Sequence, residues 1–331
     1  MLNKKIALVT GGAGFIGSHL VDLLLKKNFK VRVVDNLSGG RLENINQHRN
    51  NKNFLFKKLD INEMSINEKI FKDTSYIFHL AGKGDIVPSI ENPLNYMMTN
   101  VIGTTKVLEN CRNQKIKKFV YAASSSCYGL AKTPTNEDHK ISPEYPYALS
   151  KLMGEQACFH WSKVYKIPTI SIRIFNAYGP RVKTSGVYGA VFGVFFKQKL
   201  ENKPLTLVGN GLQKRDFLNV KDVANAFYMS AISKRKNEVY NLGSGSPKKI
   251  LDLIKLLGTN KVVKLPKRPG EPDCTWADTK KIKRQINWKP NISFKNGVNE
   301  MLLSIDKWKN APLWNKKNIK KATKTWFKYL S

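Results

Sequence analysis

The stretch that decides the fold is Ile6-Ala7-Leu8-Val9-Thr10, followed at once by Gly11-Gly12-Ala13-Gly14-Phe15-Ile16-Gly17. A short apolar run bounded by glycine suits a strand buried on both faces of a parallel sheet. The residues from Ser18 to Lys27 carry a helical pattern, so the glycines occupy a strand-to-helix turn. Such a turn aims backbone N–H groups and the positive end of a helix at one point, where a pyrophosphate binds. Gly11, Gly14 and Gly17 recur every third residue rather than as G-x-G-x-x-G. Their tasks are still a tight turn, close backbone approach to phosphate, and close packing of helix on strand. The next strand, Val31 to Val34, runs into Asp35, an acid placed to accept both ribose hydroxyls of an adenosine. An acid there favours NAD over its 2′-phosphorylated relative.

Working outward, the first half alternates strand and helix. Phe54-Leu55-Phe56 leads to Asp60, at a loop position near an adenine. Tyr76 to Gly82 reads as a strand ending in small residues, with His79 as a packed strand histidine rather than a ligand. A long helix is expected from about Leu94 to Asn113, including Asn100. Lys118 to Ala123 is the next strand, which puts Ser124 at its carboxyl end, where ligands sit in open α/β sheets. Pro146 opens a further helix at a position proline tolerates. Tyr147 and Lys151 follow on that helix, four residues apart and therefore on one face. A cation there stabilises a phenolate and makes the tyrosine a proton acceptor.

Composition agrees with an enzyme of this kind. At 331 residues the chain can bury a large core, as one large or two intimate domains. No apolar run is long enough for a membrane span, and the N-terminal apolar stretch encodes a strand rather than a signal peptide. Cys111, Cys127, Cys158 and Cys274 show neither metal-ligand nor disulfide-framework spacing, so a cytoplasmic chain without a metal is expected. Lys and Arg number 57 against 24 Asp and Glu, a formal net charge of +33. The lysines are scattered through every segment, so a solvated basic surface is favoured over a nucleic-acid site, and the field would attract an anionic substrate. Trp314, Trp326, Phe327 and Tyr329 read as the packed face of a C-terminal helix.

Together these residues resemble the extended short-chain dehydrogenase/reductase family, specifically its NAD-dependent nucleotide-sugar epimerases and dehydratases. The resemblance spans nearly the whole chain. It rests on the Gly11 to Gly17 turn, Asp35-Asn36, His79 to Gly82, Asn100, Ser124 to Gly129, Tyr147 with Lys151, Phe175 to Arg181, Arg215-Asp216-Phe217 and Arg268-Pro269-Gly270-Glu271. It implies an α/β fold: a Rossmann-type doubly wound parallel sheet with a smaller C-terminal α/β substrate domain. Residues 1–175 would hold NAD, with segments near 215–242 returning to that core, and residues 176–331 would mainly bind the nucleotide-sugar.

By the same resemblance, NAD is held by Gly11, Gly14, Phe15, Ile16, Gly17, Asp35, Asn36, Asp60, Ile61, Leu80, Ala81, Asn100, Tyr147 and Lys151. Ser124, Tyr147 and Lys151 are catalytic: Tyr147 takes a hydroxyl proton, Ser124 orients the same oxygen, and Lys151 binds the nicotinamide ribose and keeps the tyrosine ionised. Ser125, Ser126, Asn176, Arg215, Arg268, Glu271 and Thr275 contact substrate, the arginines neutralising its diphosphate. The family's 4,6-dehydratases carry Thr-Asp-Glu where this chain has Ser124-Ser125-Ser126, and its decarboxylases carry glutamate at the Ser126 position. Cys127 is offset by one residue from the cysteine of 3,5-epimerising relatives and reads as a buried thiol. C4 epimerisation through a 4-keto sugar is the outcome left, on a UDP-hexose or UDP-N-acetylhexosamine, Thr275 being small enough to admit an acetyl group. A UDP-uronate 4-epimerase, another dehydratase, decarboxylase or reductase of the family, and more remotely a nucleic-acid binder on the same fold are the alternatives. Relatives pair through helices near 94–113 and 147–165, so a homodimer is expected.

Overall fold

The computed structural model describes residues 5–182, 191–259 and 261–330. The chain opens with β1 (Ile6–Thr10), α1 (Phe15–Lys26), β2 (Lys30–Asp35), β3 (Phe54–Lys58) and β4 (Tyr76–His79). It continues through α2 (Ile86–Glu91), α3 (Pro93–Met97), α4 (Thr104–Cys111), β5 (Lys118–Ser124), α5 (Pro146–Tyr165) and β6 (Thr169–Ile174). The second half contributes β7 (Asn176–Tyr178), α6 (Val191–Leu200), β8 (Leu205–Val208), β9 (Lys214–Arg215), β10 (Phe217–Asn219), α7 (Val220–Ile232) and β11 (Glu238–Leu242). Beyond these lie β12 (Lys248–Lys249), α8 (Ile250–Leu256), β13 (Val262–Leu265), α9 (Lys280–Ile286), α10 (Phe294–Leu302), α11 (Lys316–Ala322) and α12 (Lys324–Tyr329).

Seven parallel strands form the central sheet in the order β11-β6-β5-β4-β1-β2-β3. From β1 the chain winds first toward β3 and then, from β4 onward, toward the other edge. The crevice at the carboxyl ends of β1 and β4 is therefore the topological switch point where α/β proteins bind ligands. Strands buried on both faces need apolar residues on both, and two core clusters meet that need. One packs Val9, Val33 and Ile172 under α1 and α7. The other packs Leu8, Ile77 and Phe119 under α4 and α5. A third cluster, built on Phe195, Phe196, Leu253 and Trp308, holds the remaining C-terminal elements together. Strand β11 pairs with β6 from Glu238↔Ile170 to Leu242↔Ile174, so chain from the second half completes the first sheet.

The helix expected over 94–113 is interrupted in kind, not in path. Met98–Gly103 is a π-helical turn between α3 and α4. Gly154 of α5 faces it, and a Cβ there would come within 2.6 Å of the Asn100 carbonyl oxygen. Wide turns of this type often mark functional sites, and this one carries Asn100. The C-terminal aromatic face also differs from expectation. Trp326 is buried and Trp314 is partly buried against the third cluster, whereas Phe327 and Tyr329 are exposed. The chain breaks at Thr323, whose hydroxyl donates back to Ile319 O at 2.8 Å, a bond that competes with helix continuation. The six-residue α12 that follows has room for one inward-facing aromatic.

Candidate active site

The glycine turn is built as tightly as its sequence demands. Gly11 has φ +70°, and a Cβ there would lie 2.6 Å from the Ala81 nitrogen. Only glycine lets β1 and the loop after β4 approach so closely. A Cβ on Gly17 would sit 2.8 Å from Gly12 Cα, so α1 rests directly on the turn. Gly14 caps α1 in an extended conformation with no side-chain cap, leaving the positive N-terminus of a 12-residue helix open toward the crevice. Phe15 and Ile16 lie in the first turn of that helix. Asp35 is buried at the end of β2, accepting from Ala13 N–H at 3.0 Å and Leu37 N–H at 2.8 Å. Burial pushes its carboxyl pKa up, and those two N–H groups pull it back.

Asn36 and Asp60 clamp the neighbouring strand ends, the Asn36 amide donating to the Asp60 carboxylate at 2.6 Å. Asp60 also accepts from Asn62 N–H at 2.8 Å, and the Ile61 side chain is buried against Gly103. Leu80 and Ala81 line the turn after β4, where Leu80 N–H donates to Thr10 O at 3.1 Å. His79 is a packed strand histidine. Its Nδ1 lies 2.6 Å from the Thr10 hydroxyl and its Nε2 2.9 Å from that of Thr104, and burial drives its pKa down to about 3.

Asn100 is held in place by hydrogen bonds within the chain. Its Oδ1 accepts from Lys83 N–H at 2.8 Å, while Nδ2 donates to Lys83 O at 3.0 Å and to the Ser150 hydroxyl at 2.9 Å. It pins the loop after β4 to α5. Gly82 leaves the space beside it clear: a Cβ there would fall 2.9 Å from Asn100 Oδ1 and 3.5 Å from Lys151 Nζ. An open helix N-terminus, a buried acid at the end of β2 and this glycine-lined gap beside Lys151 match the phosphate, ribose and nicotinamide ends of a dinucleotide. The residues present fit NAD.

Ser124, Ser126 and Tyr147 come together at the carboxyl end of β5. The two serine hydroxyls are 2.7 Å apart, Ser126 N–H donates to Ser124 Oγ at 3.2 Å, and both hydroxyls lower the pKa of the neighbouring Tyr147 phenol. Ser125 stands between them, half-buried in the turn that follows β5. Burial is the largest influence on Tyr147 and raises its pKa. The Ser124 and Ser126 bonds lower it, and the Asp85 carboxylate and Cys127 thiol raise it further. The Lys151 ammonium lies over the Tyr121 ring at 4.4 Å, and burial lowers its pKa to about 8. Cys127 is a buried thiol pushed up to about 12 by burial, which leaves it protonated and unreactive at neutral pH.

The second group of residues gathers at a cleft of ≈ 870 Å³ whose walls include Arg268, Glu271, Cys274, Lys132 and Phe327. Arg215 Nη2 pairs with Glu271 at 2.7 Å, and Arg268 Nε lies 3.6 Å from the other oxygen of the same carboxylate. Thr275 is not on that wall. Its hydroxyl donates to Asn176 Oδ1 at 2.6 Å and accepts from Asp216 N–H at 3.1 Å, tying β7 to the segment that carries Thr275.

Three residues beside the site, Tyr145, Tyr96 and Glu155, escaped the sequence reading, while Asp85 belongs to the loop 83–87 that the resemblance places beside the sugar. Tyr145 stacks on Tyr147 with ring centroids 6.2 Å apart. Burial raises the pKa of its phenol, Ser126 lowers it and the Glu271 carboxylate raises it further, so it lies between the two groups. The Tyr145-Pro146-Tyr147 run, with aromatics flanking a helix-opening proline, was the available signal. Asp85 and Tyr96 face Tyr147 from across the crevice. Glu155, one helical turn beyond Lys151, makes a buried pair with Arg173 at 2.5 Å and accepts from Ser171 at 2.6 Å. It locks α5 onto β6 behind the serine turn.

A parallel nucleotide fold with a serine, a tyrosine and a lysine converging at its carboxyl edge defines a class of cofactor-dependent enzymes. The chain belongs to the extended short-chain dehydrogenase/reductase family of nucleotide-sugar epimerases and dehydratases, matching the GDP-mannose 4,6 dehydratase family over residues 8–301. It is 37% identical over 303 residues to a putative UDP-glucose 4-epimerase of Methanocaldococcus jannaschii, covering 89% of this chain and 96% of the relative. Among solved structures it is similar to the UDP-N-acetylglucosamine 4-epimerase of Methanobrevibacter ruminantium in complex with UDP-N-acetylmuramic acid. The TM-score is 0.86 at 34% identity, covering 93% of this chain and 98% of the other. It is also similar to the UDP-glucuronic acid 4-epimerase of Bacillus cereus in complex with UDP-glucuronic acid and NAD, with TM-score 0.85, 33% identity and coverages of 91% and 99%.

Proposed function

We propose that this chain is an NAD-dependent UDP-sugar 4-epimerase acting through a transient 4-keto sugar. The observation that carries the reading is the triplet Ser124, Ser126 and Tyr147 at the end of β5, the serine hydroxyls 2.7 Å apart and both lowering the tyrosine's pKa, with serines where elimination or decarboxylation needs carboxylates. Similar proteins are named as a putative UDP-glucose 4-epimerase, a UDP-N-acetylglucosamine 4-epimerase and a UDP-glucuronic acid 4-epimerase, which supports a sugar of one of these types. Residues 1–175 with β11 carry the cofactor, and residues 176–331 chiefly carry the nucleotide-sugar.

NAD, when bound, supplies a reversible hydride acceptor. Gly11, Gly14, Phe15, Ile16 and Gly17 hold its pyrophosphate, Asp35 and Asn36 its adenosine ribose, Asp60 and Ile61 the adenine edge, and Leu80, Ala81 and Lys151 its nicotinamide half. Tyr147 removes the proton from the C4 hydroxyl, and Ser124 holds that oxygen in line with the phenol. Ser125 and Ser126 bind the sugar without offering an acid or base for elimination. Arg215 and Arg268 neutralise the diphosphate, Glu271 accepts the nucleoside ribose hydroxyls, and Asn176 contacts the diphosphate. Once the keto-sugar has turned over, the hydride taken from C4 would return to that carbon's opposite face, Tyr147 gives the proton back to the C4 oxygen, and the reaction is redox-neutral. The net charge of +33 draws an anionic UDP-sugar toward the cleft.

A homodimer is part of the proposal. Leu94, Met98 and Ile102, spaced by four along the helix that contains Asn100, are exposed, as are Leu149 and Met153 on the neighbouring α5. Apolar stripes on two packed helices suit pairing with the same helices of a second copy. All four cysteines are unpaired thiols, which agrees with the reducing cytoplasm.

Incubation with UDP-glucose, UDP-N-acetylglucosamine and UDP-glucuronic acid without added NAD, followed by NMR of the anomeric protons, tests the reading. The C4 epimer of at least one should appear with no net change in nicotinamide absorbance. Tyr147→Phe should lower turnover at least about 100-fold while NAD stays bound. Consumption of external cofactor, or an active Tyr147→Phe variant, would overturn it.

A further inference from the structure

The family match ends at residue 301, yet later residues reach the cleft. Most of α12 is exposed, but Trp326 is only 6% exposed. Its indole Nε1 donates to Pro269 O at 2.7 Å, and the Arg268 guanidinium lies 5.4 Å from its ring centroid. The Leu330 carbonyl oxygen lies 3.6 Å from where a Cβ on Gly270 would stand. Arg268 and Glu271 therefore sit on a loop gripped from outside by the end of the chain. From the same short helix the Thr325 hydroxyl donates to Glu91 at 3.0 Å. Glu91 ends α2, the helix that starts directly after Asp85. Phe327 stands in the cleft wall itself. One turn and a half of helix thus touches the nucleotide flank and the sugar flank together.

The gripped loop needs such support. Residues 266 to 272 include three prolines and Gly270 at φ +67°, and Arg268 and Glu271 lie in no helix or strand. An arginine on an unsupported loop loses conformational entropy when it binds an anion, and fixing it beforehand removes that cost. An aromatic face under the guanidinium holds it by cation–π attraction without occupying its outward N–H groups.

We propose that Trp326 is a positioning residue for nucleoside-diphosphate binding: α12 is a strut that pre-organises Arg268 and Glu271 and ties them to the sugar-side helix through Thr325 and Glu91. The inference rests on the UDP-sugar reading. Two variants of the full-length, NAD-loaded protein separate its parts. Trp326→Phe keeps a ring under Arg268 and removes the indole donor, and Trp326→Ala removes both. Calorimetric titration with UDP alone should show binding weakened roughly threefold for the phenylalanine variant and about tenfold or more for the alanine variant. The KM for the UDP-sugar should rise in parallel, with kcat within about twofold of wild type and NAD content unchanged. Wild-type UDP affinity in both variants overturns the proposal. So does a loss confined to Trp326→Ala that is matched by losses of NAD content and unfolding temperature, which marks the helix as a general anchor. A wild-type protein that binds no UDP overturns the substrate reading itself and takes this inference with it.

Discussion

Replacing Lys151 by methionine should make the cofactor-free protein more stable at neutral pH while abolishing turnover. Burial brings the ammonium from 10.5 to about 8, so the folded chain disfavours the charged form. Each tenfold step in proton affinity is worth about 1.4 kcal/mol, and the penalty on the folded state is roughly 3 kcal/mol. Against this stands the cation over the Tyr121 ring at 4.4 Å, worth about 1–2 kcal/mol when desolvated. Methionine keeps the length of the stem and makes its own sulfur–aromatic contact, which leaves a net gain of about 1–2 kcal/mol. The sign with pH follows from linkage. Between pH 8 and 10.5 the unfolded chain holds more protons at this lysine than the folded one, so wild-type stability rises through that window. Below pH 8 the penalty is fully present. Urea unfolding of both proteins at pH 7 and pH 10 is the assay. Methionine should win at pH 7, and its advantage should shrink by roughly 2 kcal/mol at pH 10. A variant less stable than wild type at pH 7, or a difference independent of pH, would refute the argument that burial strains this lysine.

Glu155→Ala leaves Arg173 buried without its partner and should cost about 3–5 kcal/mol, read as an earlier urea midpoint; a surface-like change of a few tenths would show the pair to be dispensable. Ser124→Ala removes a bond that lowers the Tyr147 phenol, so the acid limb of kcat/KM against pH, where the phenol ionises, should move to higher pH. An unmoved limb would detach Ser124 from the base. Met98→Glu together with Leu149→Glu places charges on the apolar stripes and should give a monomer in sedimentation, whereas an intact dimer would place the interface elsewhere.

The strand, glycine turn and helix from Ile6 to Lys26 were legible because their signals are local. The triad was legible for the same reason: Ser124 ends an apolar strand, and Tyr147 and Lys151 are one helical turn apart. What that spacing could not reveal is where the ammonium points. In three dimensions it faces Tyr121, and it is the two serines that lower the pKa of the phenol. Asn100 likewise lies near the expected site, but its amide is committed to Lys83 and Ser150, a choice made by the π turn that Gly154 accommodates.

By itself the sequence determined the parallel sheet, the glycine turn, the acid at the end of β2 and the placing of Ser124 at a strand end with Tyr147 and Lys151 on one helix, since backbone periodicity places residues a few positions apart without further information. Only the tertiary structure decided which distant groups meet. Asn176 and Thr275 are 99 residues apart in the chain, Arg215 and Glu271 are 56 apart, and Trp326 reaches Pro269 across 57. Such pairs depend on how the second half folds back over the sheet edge, where packing and loop geometry select partners that no local pattern encodes.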